Sequence, residues 1–222
     1  KKNTPSGFLG INIGPNKDSD DRIADYTECL KGIYSFANYI TINISSPNTP
    51  GLRDFHKEDF LKELLKHLSE FANKNKINKP LVLKVSPDIT DKEISYIIDL
   101  IKKFNIKGII VSNTTDKNRD NLIAKNKNEV GGLSGAPLHE ISNNLIKKFS
   151  KEIKNDIVII GVGGVNSGLT AFEKLKSGAN LLQLYTGMVY EGPGIVKKIK
   201  AELIDILKKE KIKNIAEIVG SG

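Results

Sequence analysis

Leu81-Val82-Leu83-Lys84-Val85 is an apolar, strand-forming run broken by one lysine next to its carboxyl end. An ammonium buried in such a strand costs on the order of several kcal/mol unless it meets an anion or good acceptors. On an edge strand the same lysine would stand in water. The flanking sequence argues for an interior position. Further apolar runs occur at Phe8–Ile13, Tyr39–Ile44, Gly108–Ser112, Ile157–Val162 and Leu181–Tyr185. They are continuous rather than alternating, the pattern of parallel strands buried on both faces. Amphipathic helices separate them. Tyr26, Cys29, Leu30 and Ile33 mark the first, with Cys29 read as a small core residue. Phe60, Leu61, Leu64, Leu65 and Leu68 line the second. The third opens on the capping box Thr90-Asp91-Lys92-Glu93 and continues with Ile94, Ile97, Ile98 and Ile101. Ile141, Leu145, Ile146 and Phe149 mark the fourth, Leu169, Phe172 and Leu175 a short fifth, and Val196, Ile199, Leu203 and Ile206 the sixth.

Six βα units with parallel strands allow an open doubly wound sheet or most of a (β/α)8 barrel of ~250 residues. The polar residues choose between them. Asn12, Asn43 and Lys84 interrupt strands near their carboxyl ends, and Asn113 lies just past the fourth. On a curled sheet they converge, whereas on an open sheet they spread along an edge. The expectation is an α/β fold of the (β/α)8 TIM-barrel type, with the last six βα units present and two missing at the amino end. No linker or low-complexity block divides the chain, which is read as a single domain over residues 1–222.

Composition narrows the function classes. The 222 residues are 39% apolar and 27% charged, as in globular proteins. No apolar run approaches the roughly 20 residues that cross a bilayer. There is no signal-peptide pattern, and the chain starts Lys1-Lys2-Asn3 without Met, as if its amino end were trimmed or never captured. The net charge is +8, but of 34 basic residues only Arg22, Arg53 and Arg119 are arginine. Nucleic-acid recognition favours arginine forks and interleaved aromatics, so nucleic acid is not expected as a partner. One cysteine and three histidines without ligand spacing give no reason to expect a metal.

Four stretches carry chemistry. Asn43-Ile44-Ser45-Ser46-Pro47-Asn48-Thr49-Pro50-Gly51-Leu52-Arg53 puts carboxamides, hydroxyls and prolines in one turn. Carboxamides both donate and accept, which suits a planar ring with alternating N–H and C=O edges; an ordinary polar turn is the plainer reading. Gly161-Val162-Gly163-Gly164-Val165-Asn166-Ser167-Gly168 follows the fifth strand, where backbone N–H groups and a helix N-terminus could receive a phosphate. It fails as a dinucleotide fingerprint, since Asn166 stands where a third glycine is needed. Leu184-Tyr185-Thr186-Gly187 supplies a second half of such a cradle, on the last two strands, where barrels often hold phosphate. Tight strand–helix packing would also ask for these glycines. Gly131-Gly132-Leu133-Ser134-Gly135 would allow close approach to a flat cofactor or simply a mobile turn, and Ser112-Asn113-Thr114-Thr115 is a second polar set.

From Gly7 to Gly222 the chain resembles the dihydroorotate dehydrogenases, in their class 2, quinone-reducing branch. The resemblance rests on Gly10-Ile11-Asn12-Ile13-Gly14, Asn43–Arg53, Lys84-Val85-Ser86-Pro87-Asp88, Ser112–Thr115, Gly131–Gly135, Gly161–Gly164 and Gln183-Leu184-Tyr185-Thr186, in matching order and spacing. It implies FMN as cofactor. Gly135, Gly163, Gly164, Tyr185 and Thr186 would hold its phosphate and ribityl chain. Asn12, Asn43, Lys84 and Ser112 would meet the flavin, the family usually having Thr at the last. Asn43, Asn48, Asn113 and Thr114 would hold the pyrimidine. Ser46 would be the general base, where class 1 relatives carry Cys, with Thr49 in its proton relay. Lys84 would stabilise negative charge on the reduced flavin. The implied reaction oxidises dihydroorotate to orotate in de novo pyrimidine biosynthesis, with a quinone as acceptor.

Relatives of this kind also have an amino-terminal portion absent here. It carries two barrel strands, a lysine and a loop that contact substrate, and helices that dock to the membrane and admit quinone. The expected location is peripheral, on the cytoplasmic face of a bacterial inner membrane or alternatively the mitochondrial inner membrane, with this piece alone soluble. An inert fragment or binding module is the alternative of another class. A flavin-free phosphate-binding lyase or isomerase barrel is the third, and leaves the Asn/Ser/Pro loop unexplained.

Overall fold

The computed structural model describes residues 7–117, 119–120, 122–153 and 157–222; Lys1-Lys2-Asn3 lie outside them. Six strands form one parallel sheet in chain order: β1 (Gly10–Ile13), β2 (Tyr39–Asn43), β3 (Leu81–Val85), β4 (Gly108–Val111), β5 (Val158–Val162) and β6 (Leu181–Gln183). Helices α1 (Arg22–Ile33), α2 (Glu58–Lys74), α3 (Asp91–Lys103), α4 (His139–Glu152), α5 (Gly168–Lys176), α6 (Thr186–Glu191) and α7 (Ile195–Lys209) lie between and after them.

The helices start where capping chemistry allows. In α3 the Thr90 hydroxyl accepts from Glu93 N–H at 3.3 Å, and the Glu93 carboxylate accepts from Thr90 N–H at 2.6 Å. Leucines at helical spacing in α2, namely Leu61, Leu64, Leu65 and Leu68, are all fully buried. They pack with Ile40, Ile42, Leu83, Val85, Ile109 and Val111 from one face of the sheet, in the main core. Each such burial is worth roughly 1.5–3 kcal/mol.

Alternate strand residues face the other way. Val82, Ile110 and Ile160 form a separate small cluster with Tyr39 and Val162. On this inner face the side chains above the apolar layer are Asn43, Lys84 and Ser112, two positions further along their strands. The continuous apolar appearance of the runs thus conceals two faces, one helix-covered and wholly apolar, the other turning polar at its carboxyl end.

The sheet curls. Gln183 on β6 donates a hydrogen bond to the Tyr39 hydroxyl on β2 at 3.3 Å. Those strands are four places apart, which a flat sheet would hold roughly 19 Å from each other. The inner face is therefore the inside of a partial barrel, as expected from the converging polar residues. It is open between β1 and β6, each of which pairs with one neighbour among the described residues.

That opening accounts for the differences from expectation at the two edges. Cys29 is exposed rather than buried, its Sγ 4.0 Å from Gly14 O on the β1 flank, where no described element covers it. Phe8 is exposed and precedes β1 instead of starting it. At the other edge, β6 ends at Gln183 and the chain enters α6, a short helix not anticipated from the sequence. Leu169 and Val196, assigned to apolar stripes, are exposed, as is Phe60 in the first turn of α2, where it packs edge-on against Phe55. Inside the open barrel, Tyr39, Val82, Val158, Ile160 and Leu181 line an apolar cavity of about 400 Å³.

Candidate functional site at the carboxyl rim of the sheet

The carboxyl ends of β2, β3 and β4 bring the first polar group together. Strand register sets Asn43 beside Lys84, and Lys84 beside Ile110. Lys84 is partly buried, and burial alone pushes its pKa down, with no neighbouring charge opposing it among the described residues. The Asn43 side-chain oxygen accepts from the Ser45 hydroxyl at 3.1 Å and from the Asn113 amide at 3.3 Å. Asn113 also donates to Ser45 Oγ at 2.9 Å, and its own oxygen accepts from Thr114 N–H at 2.8 Å. These bonds occupy the carboxamide oxygens and leave the Asn43 amide hydrogens without an acceptor among the described residues. Beneath, the buried Tyr26 hydroxyl donates to Asn43 O at 2.6 Å, and burial pushes its pKa well up.

The loop after β2 is held by Arg53. Its guanidinium pairs with Asp88 at 3.1 Å and Asp116 at 2.8 Å, and donates to Thr114 O at 3.1 Å. Thr115 donates to the other Asp88 oxygen at 2.6 Å. One arginine thus ties together the loops after β2, β3 and β4 through a planar fork a lysine could not reproduce. Below it lies His56, buried. Its Nδ1 is 3.1 Å from Arg53 O and its Nε2 is 3.1 Å from Ser86 N. A carbonyl on one side and an N–H on the other fix the neutral tautomer protonated at Nδ1. Burial lowers its pKa, with Arg53 acting the same way and the Arg53 carbonyl, Glu93 and Asp88 opposing.

Ser46 is half-buried in this loop, and its hydroxyl accepts from Asn48 N–H at 3.2 Å. Thr49 contributes its carbonyl to Leu52 N–H, and its hydroxyl makes no hydrogen bond to Ser46 among the described residues. Asn48 faces the glycine-rich loop: a Cβ on Gly131 would lie 4.0 Å from its side-chain oxygen, and one on Gly132 would collide with Thr114. Asn12, on edge strand β1 in register with Thr41, is exposed and makes no side-chain hydrogen bond to these groups among the described residues.

The ends of β4, β5 and β6 build a different wall. A cavity of about 380 Å³ is lined by Lys84, Ser112, Asn113 and Thr114 on one side, and by Ser134, Gly135, Gly163, Gly164, Tyr185 and Thr186 on the other. Thr186 donates to Ser134 Oγ at 3.0 Å, joining the two glycine-bearing loops. Tyr185 is largely exposed. The expected helix N-terminus is already occupied. The Ser167 hydroxyl caps Thr170 N–H at 3.2 Å, and the Glu202 carboxylate takes Gly168 N–H at 2.6 Å. What remains is the turn before it. Gly163 and Gly164 are buried, adopt φ of +115° and +74°, and their amides have no acceptor among the described residues. A Cβ on Gly164 would fall 2.6–2.9 Å from His139 Cβ, Cα and N. Glycine is thus required there by both conformation and space.

Arg53, Asp88 and His56 received no individual role from the sequence, although the first two sit inside quoted motifs. Lys174 was missed altogether. Its signal was helical spacing, since Ala171, Lys174 and Leu175 share one face of α5, which puts a lysine on an apolar stripe.

The family model described as Dihydroorotate dehydrogenase matches residues 1–207. The dihydroorotate dehydrogenase (quinone) of Brucella ovis is 44% identical over 217 residues, 96% of this chain and 60% of that protein. The Brucella anthropi protein of the same name is 43% identical over the same span. Among solved structures, the Eimeria tenella DHODH in complex with ferulenol superimposes with a TM-score of 0.92 at 33% identity, over 96% of this chain and 61% of that one. Its ligand-free form gives 0.90 at 34% identity, covering 96% and 64%. The chain therefore spans about 60% of the length of the curated relatives it matches. No helix among the described residues is long and apolar enough to cross a membrane. Matched along nearly its whole length by family, relatives and fold, the chain belongs to the dihydroorotate dehydrogenase family.

Proposed function

We propose that the protein containing this chain oxidises dihydroorotate to orotate with FMN and passes the electrons to a quinone, and that residues 1–222 form its FMN-binding barrel domain. The observation that carries the reading is one cavity with Lys84, Ser112 and Asn113 on one wall and two buried, acceptor-less glycine amides on the other. Those features fit FMN at both of its ends. The Gly163–Gly164 amides and the Thr186–Ser134 pair suit a phosphate and ribityl hydroxyls, with Gly135 giving them room. Asn43, Lys84 and Ser112 suit the ring edge, and Asn12 is assigned there on the family resemblance alone.

FMN, when bound, supplies the two-electron acceptor. The chain's own residues do the rest. Asn43, Asn48, Asn113 and Thr114 bind the carbonyl and N–H edges of the substrate ring and raise the acidity of its reacting carbon. Ser46 takes the proton from that carbon, while the neighbouring carbon gives up its hydrogen with two electrons. Serine is a weak base, so it needs a relay, for which Thr49 is the candidate in the same loop. Lys84 holds positive charge where two electrons arrive; its lowered pKa reflects burial that this incoming charge would offset. Contact with quinone and a peripheral membrane association, on a bacterial inner membrane or alternatively a mitochondrial one, are part of this reading and are assigned to none of the described residues.

The test is Ser46→Ala in the complete protein. The yellow flavin spectrum should persist while anaerobic bleaching by dihydroorotate slows about 10²–10⁴-fold. An unchanged bleaching rate would remove Ser46 as the base, and a protein that never takes up flavin would remove the whole reading.

A further inference from the structure

Lys174 has no part in the chemistry above, yet it is the one wholly buried lysine among the described residues. Its stem lies against β5: a Cβ on Gly161 would sit 2.8 Å from Lys174 Cγ and Cδ. Its ammonium donates to Asn143 Oδ1 at 2.7 Å and Ser142 Oγ at 3.1 Å. The Ser142 hydroxyl in turn donates to Val162 O at 2.7 Å. Ser112 N–H donates to the same carbonyl at 3.1 Å. Lys174 thus stands directly behind the point where the ends of β4 and β5 are tied together. Ser142 also underlies the glycine turn, since a Cβ on Gly163 would be 3.3 Å from Ser142 Cβ.

The charge around Lys174 is incomplete. The neighbouring carboxylate, Glu173, turns outward and pairs with His139 Nε2 at 2.7 Å. No carboxylate lies within ion-pair distance of Lys174 among the described residues. Burial pushes its pKa down to about 7, with Glu173 opposing. A buried cation with two neutral acceptors and no counter-ion is costly unless an anion arrives. On the cavity side of the same turn, the Gly163 and Gly164 amides have no acceptor. One dianion in the turn would answer both deficits, accepting from the amides directly and supplying negative charge across the turn and Ser142 from the ammonium.

We propose that Lys174 is a positioning residue for the cofactor phosphate, its buried charge behind the Gly163–Gly164 turn setting the preference for a phosphorylated flavin over an unphosphorylated one. This rests on the FMN reading. The test compares dissociation constants for FMN and riboflavin in the complete, deflavinated protein and in Lys174→Met. Removing the charge should weaken FMN binding by about ten-fold or more and move riboflavin by less than about two-fold. Lys174→Gln can still donate to Ser142 or Asn143 but carries no charge, and should show the same selective loss; it serves where the Met variant does not fold. Loss of FMN and riboflavin in equal measure would mean that Lys174 only packs the turn, and no loss of either would also overturn the proposal. A wild-type protein that binds neither flavin overturns the FMN reading and this inference with it, a result distinct from a variant-specific failure.

Discussion

The two halves of the rim solve recognition differently. Around β1–β3 the loops present side chains, namely the Asn43 amide, Ser46 and Asn48, and are held by ion pairs through Arg53. Around β5–β6 the recognition groups are backbone amides in a glycine turn, held by packing against His139 and Ser142, while Asn113 and Thr114 after β4 join the side-chain half. The first half is open toward the unpaired edge at β1, and the second half encloses a cavity. Side-chain recognition tolerates that openness because Asn43 and the loop behind it are held by their own bonds, to Ser45 and Asn113 and through Arg53. Backbone recognition needs a rigid wall, since a turn that moves loses all its donors together.

That contrast predicts separable failures. The largest effect belongs to Ser46→Ala, which should slow flavin reduction by about two to four decades without loss of bound FMN. Gly164→Ala should do the opposite. Its Cβ would press on the His139 backbone, and a φ of +74° disfavours any side chain. The left-handed conformation alone costs about 1–2 kcal/mol for alanine, a ten-fold or greater loss of FMN affinity once the clash is added. Reduction of the fraction still carrying FMN should run at the normal rate. If both variants lost flavin and rate together, the rim would behave as one unit and the division would be wrong.

Arg53→Met sharpens the comparison at intermediate size. It strands Asp88, whose side chain is nearly buried, and releases the Thr114 carbonyl. Charged hydrogen bonds of this kind are each worth about 1.5–3 kcal/mol. Thermal denaturation should show a loss of that order, and the apparent KM for dihydroorotate should rise while FMN affinity stays. A rise confined to the FMN dissociation constant would show that Arg53 serves the other half.

How much of this was readable in the sequence follows the same division. Asn43 and Lys84 were legible because a polar residue in a buried strand needs a reason, and strand parity then put them on one side. The glycine turn was legible as a phosphate cradle through its backbone N–H groups, but the helix N-terminus read as its second donor set is already capped. Sequence spacing does not reveal that Ser167 and Glu202 cap that helix, since Glu202 arrives from α7. Lys174 was hidden among many surface lysines, because only its neighbours on the helix face distinguish it. Cys29 was misread because an apolar stripe predicts burial only where something packs on it, and the β1 edge is open. The curl itself was inferred from converging polar groups, while its direct evidence, the Gln183–Tyr39 bond, joins residues too far apart in sequence to be paired by pattern.

The smallest effect concerns acid stability and again separates the halves. His56 sits under the β2–β3 loops, with Nε2 accepting from Ser86 N–H. Its folded pKa is lowered from the ordinary 6.5 by burial. Between that lowered value and 6.5 the unfolded chain binds a proton that the folded chain does not. Stability therefore falls as pH drops through this window, by up to about 1.4 kcal/mol per pH unit, and this contribution is constant above it. Protonation also puts a hydrogen on Nε2, where Ser86 already donates, so the loop pinned by Arg53 should loosen first. The protection factor of the Ser86 amide, exchange being referred to its intrinsic rate at each pH, should fall below pH 6.5 while those of amides in β5 hold, and His56→Gln should flatten the dependence. An equal fall in both places would tie the two halves of the rim into a single cooperative unit.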